Sequence, residues 1–222
     1  MAETLPRRAA LAPPFPVLFR DNRFLVIDKP AGIPVHGGPR GGPNVEDALR
    51  VIARGKDGPW LAHRLDADTS GCLLIALRRS ALHAAQAEFV ARRVRKTYWA
   101  IVRGSPNGDG GVCDAPLSRE TEPAGWRMVA GQGGQEAITE WRVRGRANGM
   151  AWVELTPRTG RTHQVRAHCA ALGWPVAGDP VYGGGSGPLM LLARALALEL
   201  SPPVAAVAPA PGHMRDALVA CG

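Results

Sequence analysis

The sequence predicts an α+β fold, a sheet of short strands with helices packed on it. Three observations lead there. The runs CLLIAL at 72–77 and RKTYWAIV at 95–102 are apolar, β-branched and aromatic at strand length. The Asn148-Gly149 dipeptide lies between two strand-like segments, 136–144 and 150–156, and marks a hairpin. The stretches 81–93 and 162–172 read as helices of ordinary length, each with a local stop signal.

Taken in order, residues 1–16 are rich in Pro and Ala and predict a loose arm, with one domain from 17 to 222. VLFRDNRFLVID at 17–28 predicts two strands around a turn at Asp21-Asn22. Lys29-Pro30-Ala31-Gly32 breaks that pattern, and HGGPRGGP at 36–43 predicts a flexible loop. Asn44 is placed to cap a helix with Glu46 and Asp47 in its first turn, running to about Arg54 and closed by Gly55. Residues 72–77 predict a buried strand. Ser80 is then expected to cap the helix over 81–93, with Leu82, Ala85 and Phe89 on its inner face and Arg92 and Arg93 at its C-terminal end. The strand at 95–102 ends at Gly104. Residues 104–135 hold eight glycines, yet so long a stretch inside a domain should not be structureless. Short strands are expected around 115–117 and 126–129. The helix over 162–172 closes at Gly173. Residues 189–200 predict a strand, and 202–212 a Pro/Ala-rich tail.

The chain has 222 residues, 45% hydrophobic and 21% charged, which excludes a disordered protein. Its net charge of +8 is concentrated. Residues 78–103 carry seven basic side chains against Glu88 alone, and 142–166 carry six against Glu154. That pattern fits a polyanion-binding face, and equally a general enrichment in Arg, since all but three of the 27 basic residues are Arg. Cys72, Cys113, Cys169 and Cys221 form no close pair, so neither a zinc site nor a disulfide framework is expected. Free thiols, the lack of an 18-residue apolar run and a proline-broken N-terminal apolar stretch predict a cytoplasmic chain without membrane spans.

Three clusters bear chemistry. LAHRLDADTSG at 61–71 precedes the buried strand, where a scaffold presents functional groups. Asp66 there can serve as nucleophile or general base. In an extended segment Asp66 and Asp68 would share a side and could hold a metal for a nuclease. The same residue types also serve as turn and capping residues. In TGRTHQVRAH at 159–168, Gly160 before the helix resembles an anion-binding N-terminus. The spacing of His163 and His168 does not suit a metal, and Arg166 is placed to reach a carboxylate across the sheet or to lie solvated on the surface. In RKTYW at 95–99, strand alternation puts Lys96 and Tyr98 on one face and Arg95, Thr97 and Trp99 on the other. Its aromatics suit base stacking or an ordinary core.

Together HRLDADTSG, RKTYWAIVRG and TGRTHQVRAH…GWPVAGDPVYGG resemble the RluA-type RNA pseudouridine synthases, with VIDKPAGIPVHGG at 26–38 and GQEAITEWRV at 134–143 as further matches. The resemblance runs from about residue 17 to 198. It implies a mixed, mainly antiparallel, bent sheet flanked by helices, with the cleft on one face. It implies isomerisation of uridine in tRNA or large-subunit rRNA, with no cofactor and no metal, by a monomer. By the same resemblance Asp66 is the essential aspartate, Tyr98 the tyrosine under the uracil with a suggested base role at C5, and Arg166 the partner of the aspartate. Arg64 enters the RNA as the base leaves its stack, His63 and Arg161 contact substrate, and Leu74, Ile101 and Leu155 line the pocket. The family's extra S4 RNA-binding domain has no counterpart in the 16 residues before the first strand. One departure is that the family's Leu-His-Ala is Leu191-Leu192-Ala193 here. A binding module that keeps the fold without catalysis is the competing reading.

Overall fold

The structure is a computed structural model that describes residues 14–38, 41–53, 58–123, 125–183 and 185–222. Most of the expected N-terminal arm and Gly55 lie outside the described residues.

Two strands, β1 (Val17–Arg20) and β2 (Phe24–Lys29), meet at the Asp21 turn, where the Asp21 carboxylate accepts from the backbone N–H groups of Arg23 and Phe24. Helix α1 (Val45–Leu49) is capped by Asn44, whose side chain accepts from Asp47 N at 2.9 Å. It tightens into a 3-10 turn at Arg50–Ile52 and so ends short of Arg54. Then come β3 (Trp60–Leu61), β4 (Ser70–Ala76) and α2 (Arg79–Val90). Helix α2 starts at Arg79, so Ser80 is inside it and Arg78 occupies the cap without a side-chain bond. Its last turn ends before Arg92, which adopts φ 56°, while Arg93 folds back to pair with Glu88.

Next are β5 (Arg95–Arg103), β6 (Gly110–Cys113), β7 (Leu117–Glu122), β8 (Gly125–Ala130), β9 (Thr139–Ala147) and β10 (Met150–Pro157). The glycine-rich stretch is thus β6 plus a two-stranded β7–β8 ribbon that begins at Leu117, later than expected from 115–117. Strands β9 and β10 form the hairpin that Asn148 (φ 53°) and Gly149 (φ 71°) signal, the left-handed pair of a type I′ turn. The chain closes with α3 (Gln164–Ala171), β11 (Leu191–Leu198), β12 (Val204–Val207) and α4 (Gly212–Cys221). The stretch 202–212 read as a tail therefore holds β12, and α4 starts at its last residue. Met214, Leu218 and Cys221, at i, i+4 and i+7, bury α4 against the sheet.

Ten strands form one sheet along the path β1-β2-β4-β11-β5-β10-β9-β6, with β3 beside β4 and β12 beside β11. All the pairings are antiparallel except β4 with β11, which is parallel at two residue pairs, Leu192↔Ser70 and Ala193↔Gly71. The sheet is mixed, mainly antiparallel and flanked by helices, as expected. Beyond those two pairs β4 turns to β3 and β11 to β12, so the sheet splays at its middle. Gly71 permits the junction. It has φ 109°, and a Cβ there would sit 2.3 Å from the Ala193 carbonyl oxygen.

Strand alternation sorts the core. Leu74, Ile101 and Leu192 face α2, α4 and β12. Leu73, Ile75, Ala100 and Leu155 face the other way, in the clusters that cover α1 and α3, with Tyr98 packed against both. The cleft lies on this second face.

Candidate active site

The loop before β4 carries Asp66. It is held from below by Lys29, the last residue of β2, which is fully buried and donates to the carbonyls of Pro30, Ile33 and Ala67 at 2.7–2.8 Å. Burial lowers the Lys29 pKa to about 8, against the pull of Asp68 and Asp66. Residues 66–69 make a turn, closed by Thr69 N on the Asp66 carbonyl. Asp66 and Asp68 are therefore not in an extended segment, which removes the geometry behind a shared metal.

Helix α3 brings Arg166. The turn before it is tied by Gln164, whose side-chain oxygen accepts from Thr159 Oγ1 and Arg161 N. This knot delays the helix start from residue 162 to 164 and puts Arg166 in the first turn. Arg166 is 4% exposed, so it is no surface residue. Its Nε and one terminal nitrogen donate to Asp179 at 2.7 and 2.8 Å, and the other reaches Asp66 Oδ2 at 3.3 Å. Burial opposes the Arg166 charge, but Asp179 and Asp66 outweigh it, so its pKa rises. Burial likewise works against Asp179, while Arg166 and the N–H groups of Val181 and Tyr182 hold its carboxyl below the usual range.

Two cavities flank Asp66. One, of about 320 Å³, is lined by His63, Arg64, Lys96, Tyr98, Arg161 and Leu191, among others. The second, of about 440 Å³, shares Arg64, Asp66, His163 and Arg166 and adds Trp126 and Asp68. Tyr98 and Lys96 project together from β5, as alternation requires. Burial, helped by Asp66, pushes the Tyr98 phenol well above its ordinary pKa, so it enters the cleft neutral. Burial lowers Lys96 to about 8. Its Nζ donates to the Thr159 carbonyl, and no carboxylate among the described residues pairs with it.

The structure thus brings Asp66, Tyr98, Arg166, Arg64, His63 and Arg161 to one cleft. It does not bring Leu74, Ile101 and Leu155 there. Leu74 and Ile101 point to the opposite face of the sheet, and Leu155 is packed under α3, so all three are core. His63 lines the wall, but its Nε2 accepts from Leu74 N at 2.9 Å and its ring packs on Phe89. Burial drops its pKa to about 4. Between pH 6.5 and 4 the unfolded chain therefore takes up a proton that the folded chain refuses, and stability falls as the pH falls through that window. A His63→Gln variant should lose this contribution, up to about 1.4 kcal/mol per pH unit, in denaturant titrations at pH 6.5 and 4.5. Equal slopes for the two proteins would show that His63 titrates normally.

Sequence reasoning missed Asp179, Lys29 and Tyr182. Asp179 had a signal, since Gly-Asp-Pro marks a turn whose carboxylate caps following N–H groups. At the Leu-His-Ala departure, Leu192 stands opposite Ser70, whose buried Oγ has no hydrogen-bond partner among the described residues.

A carboxylate held by a buried guanidinium, in one cleft with a neutral tyrosine and exposed arginine, defines a class of site suited to an anionic polymer. Comparison with known proteins gives the family. Residues 23–171 match RNA pseudouridylate synthase. An uncharacterized RNA pseudouridine synthase of Zymomonas mobilis is 40% identical over 210 residues, 90% of this chain and 95% of that protein. The ribosomal large subunit pseudouridine synthase C of Pasteurella multocida is 39% identical over 168 residues, 75% of this chain but 52% of that protein. The structure of human RNA pseudouridylate synthase domain containing 4 superposes with a TM-score of 0.78 at 29% identity, covering 91% of each chain. The chain belongs to the RNA pseudouridylate synthase family and is of the RluA type, an isomerase whose substrate is RNA.

Proposed function

We propose that the chain isomerises particular uridines of tRNA or large-subunit rRNA, with Asp66 as the essential group. The names of the relatives favour rRNA. The observation that carries this reading is the Asp66–Arg166 contact at 3.3 Å, with both side chains lining the two cavities and Tyr98 lining the first. The N1–C1′ bond must break, the base turn, and C5 join C1′. Arg166 orients Asp66 through Oδ2 and leaves Oδ1 for chemistry, either attack at C1′ or removal of the 2′ proton. Tyr98 supplies a flat floor and a neutral hydroxyl for the uracil. As a phenol with a raised pKa it is a weak base at C5. Arg64, exposed at the rim of both cavities, fills the stack that the flipped base leaves. Arg161 borders the first cavity, and His63 acts on the wall rather than on the substrate. Residues 17–222 work as one unit, as a monomer in the cytoplasm, with neither cofactor nor metal.

RNA from a strain lacking the gene, labelled with tritium at uridine C5, should release tritium to water on incubation with the protein, in excess EDTA as well as without it. No release from tRNA or rRNA would sink the reading. Loss of release in EDTA would sink its metal-free form.

The basic segments are less free than their charge implies. Arg92, Arg93, Arg95, Arg144, Arg146 and Arg158 each pair with an acidic residue. Arg64, Arg78, Arg79, Arg103, Arg142 and Arg161 make no such pair among the described residues. RNA affinity should fall with salt at a log–log slope of about −0.7 per phosphate contacted in a single strand. Affinity that stays flat between low and moderate salt would return the arginines to mere composition.

A further inference from the structure

His163 sits at the junction of the two cavities and is not explained by the Asp66–Arg166–Tyr98 arrangement. It adopts φ 52°, a left-handed conformation uncommon outside glycine. Its ring is stacked on Trp126 of β8, with centroids 5.0 Å apart at 23°, and the Arg119 guanidinium of β7 lies over the same indole, 4.7 Å from its centroid. On one edge, Nδ1 lies 3.2 Å from Tyr182 Oη. On the other, Nε2 lies 3.9 Å from Asp66 Oδ1.

The bonds of Tyr182 favour one tautomer. Its hydroxyl oxygen accepts from Met128 N at 2.8 Å, and its phenolic hydrogen is then free to donate to His163 Nδ1. An Nδ1 that accepts places the imidazole proton on Nε2. Nε2–H then faces the one Asp66 oxygen that Arg166 does not hold. At 3.9 Å this is no hydrogen bond, but an oxygen atom to one side of the line joining them can lie about 2.8 Å from each group.

We propose that His163 is a further polar group of the reaction centre: a neutral Nε2–H donor for a substrate oxygen arriving at Asp66 Oδ1, set in that tautomer by a relay from the β7–β8 ribbon through Tyr182. The proposal rests on Asp66 being the reacting carboxylate. The charged and titratable groups around the ring are Asp66, Arg166, Asp179, Arg64 and Tyr182. Burial, the largest influence, lowers the His163 pKa, which agrees with a neutral ring. The ribbon thereby acquires a purpose beyond covering α3. It stacks the ring and, through Met128 N–H, chooses the nitrogen that carries the proton.

Two measurements test this. Long-range 15N–1H correlation spectra of the labelled protein, with His163 assigned by its loss in His163→Phe, should show the Nε2–H tautomer at pH 7. In Tyr182→Phe the signal should shift toward a mixture of tautomers. An Nδ1–H ring or an imidazolium in the wild type overturns the proposal, whatever the protein does to RNA. In the tritium assay, His163→Phe keeps a ring to stack on Trp126 but has no donor. It should lower kcat about a hundredfold with KM for RNA unchanged, and His163→Gln, which restores an N–H, should recover much of that loss. Full activity in His163→Phe, or an equal loss in the Phe and Gln variants, overturns the donor role. A wild type that releases no tritium while showing the expected tautomer would instead count against the proposed reaction.

Discussion

Asp66→Asn should reduce tritium release from labelled RNA by about three orders of magnitude or more while leaving RNA affinity and the melting temperature near the wild-type values. Asn has the shape of Asp and keeps an oxygen for Arg166, but it lacks the charge that either route to glycosidic cleavage requires. Losses of this size are ordinary when the charged member of a catalytic set is replaced by its amide. The carboxylate is 18% exposed, and its loop is anchored by Lys29 and the Thr69 turn, neither of which uses the Asp66 side chain. The fold should therefore tolerate the change. Activity within tenfold of wild type would remove Asp66 from the chemistry, and with it the reading of the whole cleft.

The second large effect is expected at Asp179. Its carboxylate is completely buried and receives two bonds from Arg166, with two more from the N–H groups of Val181 and Tyr182. Asp179→Asn keeps acceptors for the backbone but leaves the buried guanidinium with only the 3.3 Å contact to Asp66 for its charge. Breaking such a pair costs about 3–5 kcal/mol. For a chain of this length that corresponds to a melting temperature lower by roughly 6–20 °C. Turnover should fall too, because Arg166 would lose the partner that fixes its angle toward Asp66. The double variant Arg166→Met, Asp179→Asn separates the two effects, since it removes the buried guanidinium charge and keeps an acceptor for the Val181 and Tyr182 N–H groups. It should regain stability without regaining activity. Because the folded-state pKa of Asp179 is depressed, its contribution is present above the unfolded value of 3.8 and is lost as the pH falls through the folded value. A single variant as stable as wild type would mean that Asp179 does not support Arg166.

The sheet was legible where burial is extreme or a turn is chemically specific. Strand β4 is buried on both faces, so its run of apolar residues had one reading, and Asn148-Gly149 set the β9–β10 hairpin. Helix ends were less legible because side-chain bonds to groups five residues away decide them. Gln164 ties back to Thr159 and moves the start of α3, and Arg93 finds Glu88 beyond the end of α2. Helix α4 was hidden behind the prolines at 202–211, although the spacing of Met214, Leu218 and Cys221 announced it. At the site, the motifs name Asp66, Tyr98 and Arg166, and the fold brings these three to one cleft. The apolar lining failed at Leu74 and Ile101 through strand parity, and at Leu155 because facing the cleft does not mean reaching it. Asp179 and Lys29 act beneath the surface on residues far away in the chain, so no local pattern names their partners.

The splayed sheet gives the cleft an unusual dependence on its occupant. Asp66 precedes β4, on one leaf, whereas Tyr98 and Arg166 belong to the other, and two residue pairs at Ser70 and Gly71 stitch the leaves together in the ladder. An RNA that touches Arg64 on one wall and Arg161 on the other spans that seam. At the site proposed above, bound RNA would bridge the two leaves, and because it binds the folded chain it should raise the melting temperature by mass action.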